Sequence, residues 1–459
     1  MNDMSASAVV NQSKQAAITT RPLCPLERWY WVFGQISPLN GIGRVRVHGK
    51  VDDATLRNGL QLLQQRHPLL RSKVITNDKG RDPRFVIDHS LQIPVTRTQM
   101  SGACDPQNWT RFLREQALNR PFDTAQGPLM RLHVVEDDDG IDLIVVASHI
   151  IIDATGIVSL LKELLQLALG DDQERYELPL MPSFSDRFPP HKKGFIAFLK
   201  TLYLNLKIEL YHFRNKPVQM AFDKIVPHHQ RVTAFVHQEL SAQDTQALIK
   251  ACQQHGASVH AALCTALMQT IIEDVQARDP AQRGKELNVG IGSPVNLRKD
   301  MHPVASESEL GIFVGTFITF AERVNGREFW DVAREFNQTM RQQSQDGEPF
   351  TIMNFVRKTM PQTAASAGGF IKLIEKKGPG NACISNLGRY DFPAQIAGLG
   401  ISGAQFLAET SVTGTWVSTA NTSHGQLFWN FSYTKDMFTD ARATALANRC
   451  IAILQQQLQ

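Results

Sequence analysis

Apolar and polar residues change their spacing repeatedly along this chain, and each change predicts an element. Gly43-Arg-Val-Arg-Val-His48 alternates with period two and predicts a strand. From about Asp52, Leu56, Leu60 and Leu63 share one helical face. That helix ends before Pro68, because a proline disfavours helical backbone in the residue before it. A second helix carries Trp109, Phe112 and Leu113. Pro128 to Val135 reads as a strand, Glu136-Asp-Asp-Asp-Gly140 as its turn, and Ile141 to Ala147 as the returning partner, which is a hairpin signal. Ile157, Leu160, Leu161, Leu164, Leu165 and Ala168 then return to helical spacing, and Gly170 stops the helix.

The pattern breaks from Leu178 to about Arg231. Pro179, Pro182, Pro189 and Pro190 cluster there, around one basic amphipathic helix over roughly Gly194 to Phe213. A second half starts at the strand Thr233 to Leu240. Ser241-Ala-Gln-Asp244 has the capping-box pattern that opens a helix. Ser258 starts a helix apolar nearly all round, which makes Cys264 a small core residue. Strands are predicted near Leu287–Ile291, Ile312–Phe320, Leu399–Leu407, Thr413–Thr419 and Gln426–Tyr433. Phe329, Val332, Ala333 and Phe336 mark one helix between them, and a last helix runs from about Thr439 to Leu454. Both halves follow the order strand, helix, strand pair, helix. Two related α/β layers packed edge to edge are the expectation. The chain divides as a flexible leader (1–20), an N-terminal subdomain (21–177), a crossover linker (178–231) and a C-terminal subdomain (232–459).

Composition removes several classes of function. The 459 residues, 42% hydrophobic and 20% charged, suffice for two cores without metals or disulfides. A net charge of +4 is too weak and scattered for nucleic-acid binding. Cys24, Cys104, Cys252, Cys264, Cys383 and Cys450 show no metal-ligand spacing and read as reduced thiols. No run of 18 apolar residues predicts a membrane span, and the start of the chain has no apolar signal core. A cytoplasmic setting is the expectation.

Candidate chemistry centres on Ser148-His149-Ile-Ile-Ile-Asp153-Ala-Thr-Gly156. An apolar strand runs straight into a histidine, the side chain best poised for proton transfer near neutral pH. Acyl transfer from a thioester needs little more than a base for the acceptor, a place for it and stabilisation of the oxyanion. Alone, His-x-x-x-Asp is weak: with 14 histidines roughly one chance match is expected. His133-Val-Val-Glu-Asp137 is such a match, its aspartate read as part of a solvated acidic turn. The local alternative for His149 is a satisfied histidine at a strand end.

Wider context favours the chemistry. Pro25-Leu-Glu27, Arg66-His-Pro-Leu-Leu-Arg71, Arg120-Pro-Phe-Asp123, Gly127-Pro-Leu-Met-Arg131, Ser148 to Gly156, Val295-Asn-Leu-Arg298 and Ser385-Asn-Leu-Gly388 occur in this order along the chain. Together they resemble the chloramphenicol acetyltransferase-like superfamily, which includes peptide-synthetase condensation domains, plant acyltransferases and phthiocerol dimycocerosyl transferase. The resemblance implies two subdomains with mixed sheets flanked by helices, and a tunnel between them. It implies His149 as catalytic base and Asp153 paired with Arg298 beneath the histidine loop. Ser385 and Asn386 become candidates for oxyanion or donor contacts, the alternative being a strand edge with capping side chains. It implies no metal and no tightly bound cofactor; acyl-CoA or an acyl-carrier protein serves as co-substrate.

Three departures narrow the resemblance. Ser148 stands where many condensation domains have a second histidine, Gly156 is separated from Asp153 by two residues, and Tyr390-Asp-Phe-Pro393 does not match the plant "DFGWG" motif. These features point to a stand-alone transferase near the alcohol and phthiocerol acyltransferases, acting on a hydroxyl or amine acceptor. A carrier-dependent amide-forming protein and a non-catalytic scaffold are the rivals. The Gly194–Phe213 helix fits two readings: a core-packed helix with outward lysines, or a lipid-contact or acyl-tunnel helix, the lipid contact being peripheral and at the inner membrane face.

Overall fold

Strand and helix bounds follow from where the apolar stripes close. The computed structural model describes residues 20–100, 107–170, 176–192, 194–377, 382–390, 392–410 and 414–458. The first half runs β1 (Thr20–Pro22), α1 (Pro25–Gly34), β2 (Asn40–His48), α2 (Asp53–Arg66), β3 (Ser72–Ile75), β4 (Arg84–Ile87), β5 (Val95–Gln99), α3 (Asn108–Phe112), β6 (Met130–Asp137), β7 (Gly140–Ser148), α4 (Ala154–Ala168) and α5 (Gly194–Asn215). The second runs β8 (Thr233–Leu240), α6 (Ala242–Gln254), α7 (Val259–Arg278), β9 (Val289–Asn296), β10 (Val314–Ala321), α8 (Phe329–Asp346), α9 (Glu348–Thr359), α10 (Gly368–Lys377), β11 (Ala382–Arg389), β12 (Gln395–Ile396), β13 (Leu399–Ala408), β14 (Trp416–Ser423), β15 (Gln426–Thr434) and α11 (Asp440–Gln456). Cys104 and the leader up to residue 19 lie outside the described residues. Thr20, counted with that leader, pairs with Val86 in β4.

Two mixed six-stranded sheets form the frame, ordered β12-β13-β2-β7-β6-β5 and β10-β9-β11-β14-β15-β8. Helices flank both. The division of the chain at 232 is not a division of the sheets. β12 and β13 belong to the second half of the sequence but complete the first sheet, with Ile401 opposite Val47 and Leu407 opposite Ile42 of β2. Side chains from the second sheet reach across to the β13 backbone: Thr419 donates to the Phe406 carbonyl at 2.8 Å and Asn421 to that of Ala404 at 2.9 Å. The two sheets are thus joined edge to edge by hydrogen bonds to one borrowed strand.

The first sheet corrects one reading of the sequence. An alternating strand ordinarily leaves one face to water, yet every β2 residue except His48 is buried. Its arginines are held in ion pairs, Arg44 with Asp142 and Arg46 with both Asp137 and Asp142. Asp137 is therefore not in a solvated loop. It is 3% exposed, pairs with Arg46 at 2.5 Å, and accepts the backbone N–H of Asp139 and Gly140. The other sheet face receives α4. A Cβ on Gly43 would come within 2.3 Å of Ile157 and 2.7 Å of Leu161, so this close approach requires glycine.

Candidate active site

β7 delivers the histidine. All nine of its residues are buried, and the backbone N–H of His149 donates to the Leu39 carbonyl at 3.2 Å, just past the strand end. Ile150, Ile151 and Ile152 then turn inward and are at most 1% exposed. Burying three isoleucines fixes the turn and leaves His149 half-buried at its edge. Its Nδ1 is sealed from solvent with no hydrogen-bond partner. That leaves Nε2 as the nitrogen on the accessible side. Burial lowers the pKa of the imidazole, opposed by backbone groups of His149 and Ile152 and by the Asp153 charge. The neutral ring, which is the basic form, is favoured.

Asp153 directs its oxygens away from the histidine. It caps α4, where its Oδ1 accepts the Gly156 N–H at 2.9 Å. Its Oδ2 accepts from Arg298 Nη1 at 2.8 Å and from the Phe313 N–H at 2.9 Å. Arg298 spends its other donors on the Ser306 and Glu309 carbonyls, at 3.2 Å each. Both side chains are at most 2% exposed. Each nitrogen and oxygen of the two charged groups has a hydrogen-bond partner, the condition under which a buried ion pair is tolerated. It bridges the first half, through α4, to the loop after β9 in the second. Asn296 adds a 3.2 Å hydrogen bond to Thr155 across the same seam.

Ser385 and Asn386 lie on β11. Asn386 Oδ1 accepts the Gly388 N–H at 2.8 Å, so this side chain caps its own strand end. Ser385 is half-buried, on the face opposite Ile384, which is sunk in the core of the second half.

Tyr30 was not anticipated from sequence. Its ring stacks on the imidazole of His149 at 4.0 Å between centroids and 17° between planes. α1 places it. Pro25 occupies the first turn, Cys24 caps it, and Glu27 closes a reciprocal capping box while pairing with Arg21 at 2.7 Å. Pro25 followed by Glu27 was the available signal for this helix. Burial pushes the Tyr30 phenol pKa upward. A second polar group sits on the other half: His260 Nε2 lies 3.1 Å from Ser293 Oγ and 3.5 Å from Cys264 Sγ, and burial lowers the His260 pKa to about 4.

Comparison with known proteins fits this geometry. Residues 28–190 match the condensation domain, and residues 229–435 match the C-terminus of phthiocerol/phthiodiolone dimycocerosyl transferase. The chain belongs to the chloramphenicol acetyltransferase-like condensation superfamily. As a superfamily member it is similar along 96% of its length to polyketide synthase associated protein 5 from Mycobacterium tuberculosis (98% of that chain, 16% identity, TM-score 0.66). It is also similar along 95% to the trichothecene 15-O-acetyltransferase of Fusarium sporotrichioides (95% of that chain, 13% identity, TM-score 0.72). Among curated proteins it is 29% identical over 172 residues to a linear gramicidin synthase of Brevibacillus parabrevis, covering 35% of this chain and 3% of that protein. It is 22% identical over 304 residues to a plipastatin synthase of Bacillus subtilis, covering 64% of this chain and 8% of that protein. The chain thus spans only a small part of these curated relatives. Both matched models belong to acyltransferase and condensation families.

Proposed function

We propose that this protein moves an acyl group from a thioester, acyl-CoA or an acyl-carrier protein, onto the hydroxyl of a lipophilic acceptor, with His149 as general base. One observation carries the reading: a histidine with one sealed nitrogen, favoured in its neutral form and held flat against Tyr30, at the seam between the two halves. His149 Nε2 takes the acceptor proton as the acceptor oxygen attacks the thioester carbonyl. The carbonyl electron pair moves to oxygen, and Ser385 is the candidate donor to that oxyanion. Collapse breaks the C–S bond, and the leaving thiolate takes the proton back from the imidazolium. The Asp153–Arg298 pair supports the loop from below and takes no part in proton transfer. On this reading donor and acceptor reach His149 from opposite sides of the seam between the halves.

The test is thiol release from an acyl-CoA series in the presence of medium-chain alcohols, with wild type and His149→Ala. Release that depends on alcohol and on His149 supports the reading. Release unchanged in His149→Ala overturns it. The similarity to peptide synthetases keeps a second reading, carrier-dependent amide formation. Turnover only with an acyl-loaded carrier and an amine would establish it.

A further inference from the structure

α5 turns only a narrow face to the protein. Ala197, Thr201 and Leu204 are its buried residues, and the helix packs on α9; near its end, Tyr211 stacks on Phe320 of β10 at 4.3 Å between ring centroids. The opposite face carries Phe195, Leu199, Leu202, Leu206, Leu210 and Phe213, all exposed. Phe195 is 72%, Leu206 66% and Phe213 79% exposed. Six large apolar side chains on one outward ridge far exceed the scattered singles of an ordinary soluble surface. The core-packed reading of this helix is therefore not what the structure shows.

Charge decides what meets the ridge. Lys200, Lys207 and Arg214 recur at intervals of seven and form one exposed line along a single edge of it. Lys207 stays 59% exposed although its Nζ lies 3.5 Å from Glu348. Glu209 falls on the opposite edge. No described helix is long and apolar enough to cross a membrane, so a surface orientation is the one that buries the ridge. Sunk to the headgroup boundary, the six side chains reach acyl chains while the cation line meets anionic phosphates. An antiparallel helix pair between two copies of this chain would instead bring the two cation lines together.

We propose that α5 seats this protein flat on the surface of an anionic lipid bilayer. The docking does not depend on the acyl-transfer reading, and a catalytically dead His149→Ala protein docks equally well. The experiment is co-sedimentation of the full chain with phosphatidylcholine vesicles, with and without phosphatidylglycerol, across a salt series. Wild type and His149→Ala sediment with the anionic vesicles and are released by salt. Leu206→Glu and Phe213→Glu, exposed positions that leave the melting temperature unchanged, lose vesicle binding. Lys200→Ala combined with Lys207→Ala and Arg214→Ala weakens partitioning to anionic vesicles on the order of 100-fold at low salt, with little effect on neutral ones. Failure of wild type to sediment with either vesicle at low salt overturns the proposal. So does a solution dimer that Leu206→Glu converts to monomer, because the ridge is then covered by a second copy.

Discussion

At the scale of single residues, the imidazole of His149 governs what can be measured. His149→Ala lowers turnover roughly 10²- to 10⁴-fold with an unchanged melting temperature, as steady-state kinetics and calorimetry on one preparation will show. Its pKa is lowered from the ordinary 6.5, so the free base persists into mild acid. The acid limb of kcat/KM therefore has its midpoint below 6.5, activity falling as pH drops through the folded-state pKa. Under the proposed mechanism Tyr30, stacked on the imidazole, is a positioning residue. Tyr30→Phe keeps the stacked ring and near-wild-type activity. Tyr30→Leu loses roughly 10- to 100-fold in kcat/KM, and its acid limb moves up toward 6.5 as water reaches the imidazole. A purely structural role for Tyr30 would leave that limb in place. Asp153→Ala strands Arg298 without its partner and costs about 3–5 kcal/mol in denaturant unfolding. Asp153→Asn, which keeps a capping oxygen, costs less. His133, bonded to Thr96 at 2.5 Å and away from the site, changes stability rather than turnover when replaced.

At the scale of elements, the site depends on how closely α4 approaches β2. The helix carries Asp153 at its N-cap and so holds the histidine turn to Arg298 of the other half. Gly43→Ala puts a Cβ against Ile157 and Leu161. The overpacking costs about 1–3 kcal/mol and displaces α4. Activity then falls by more than the lost folded fraction explains, measured by activity per folded molecule at a temperature well below melting. A loss of activity that only tracked stability would show that α4 position does not matter to the histidine turn.

At the scale of the whole molecule, the crossing strand β13 is pinned by Glu409 at its end. This carboxylate accepts Asn40 Nδ2 at 2.7 Å and the Asn119 N–H at 2.5 Å, both from the first half. Burial outweighs these hydrogen bonds and raises its pKa from 4.5 to about 7. Between those values the folded chain binds more protons than the unfolded one. Glu409 therefore stabilises the fold fully below 4.5, and that contribution is lost as pH rises through about 7. The loss is on the order of 3 kcal/mol. Urea unfolding at about pH 5 and about pH 8 should show this slope in wild type and not in Glu409→Gln. An equal slope in the variant would assign the pH dependence to another group.

Local elements and candidate residues were legible along the chain. Period-two and helical stripes located β6, β7, α2, α4 and α11 within a few residues, because these segments bury their own apolar faces wherever the chain takes them. His149, Asp153 and Arg298 stood out by type and order along the chain. The neighbours of those residues were a tertiary matter. Arg44 and Arg46 alternate like solvent-facing positions, yet the aspartates that bury them lie about a hundred residues further on. Tyr30 meets His149 only because α1 packs beside the end of β7, and no local spacing encodes a contact across 119 positions. β13 reads as a strand of its own half but pairs with the other, since an alternating pattern specifies a buried face and not a partner. The α5 stripe predicted an apolar face equally suited to a core or to lipid. Only the packing of Ala197, Thr201 and Leu204 decided which side turned inward, and it left the larger residues outside.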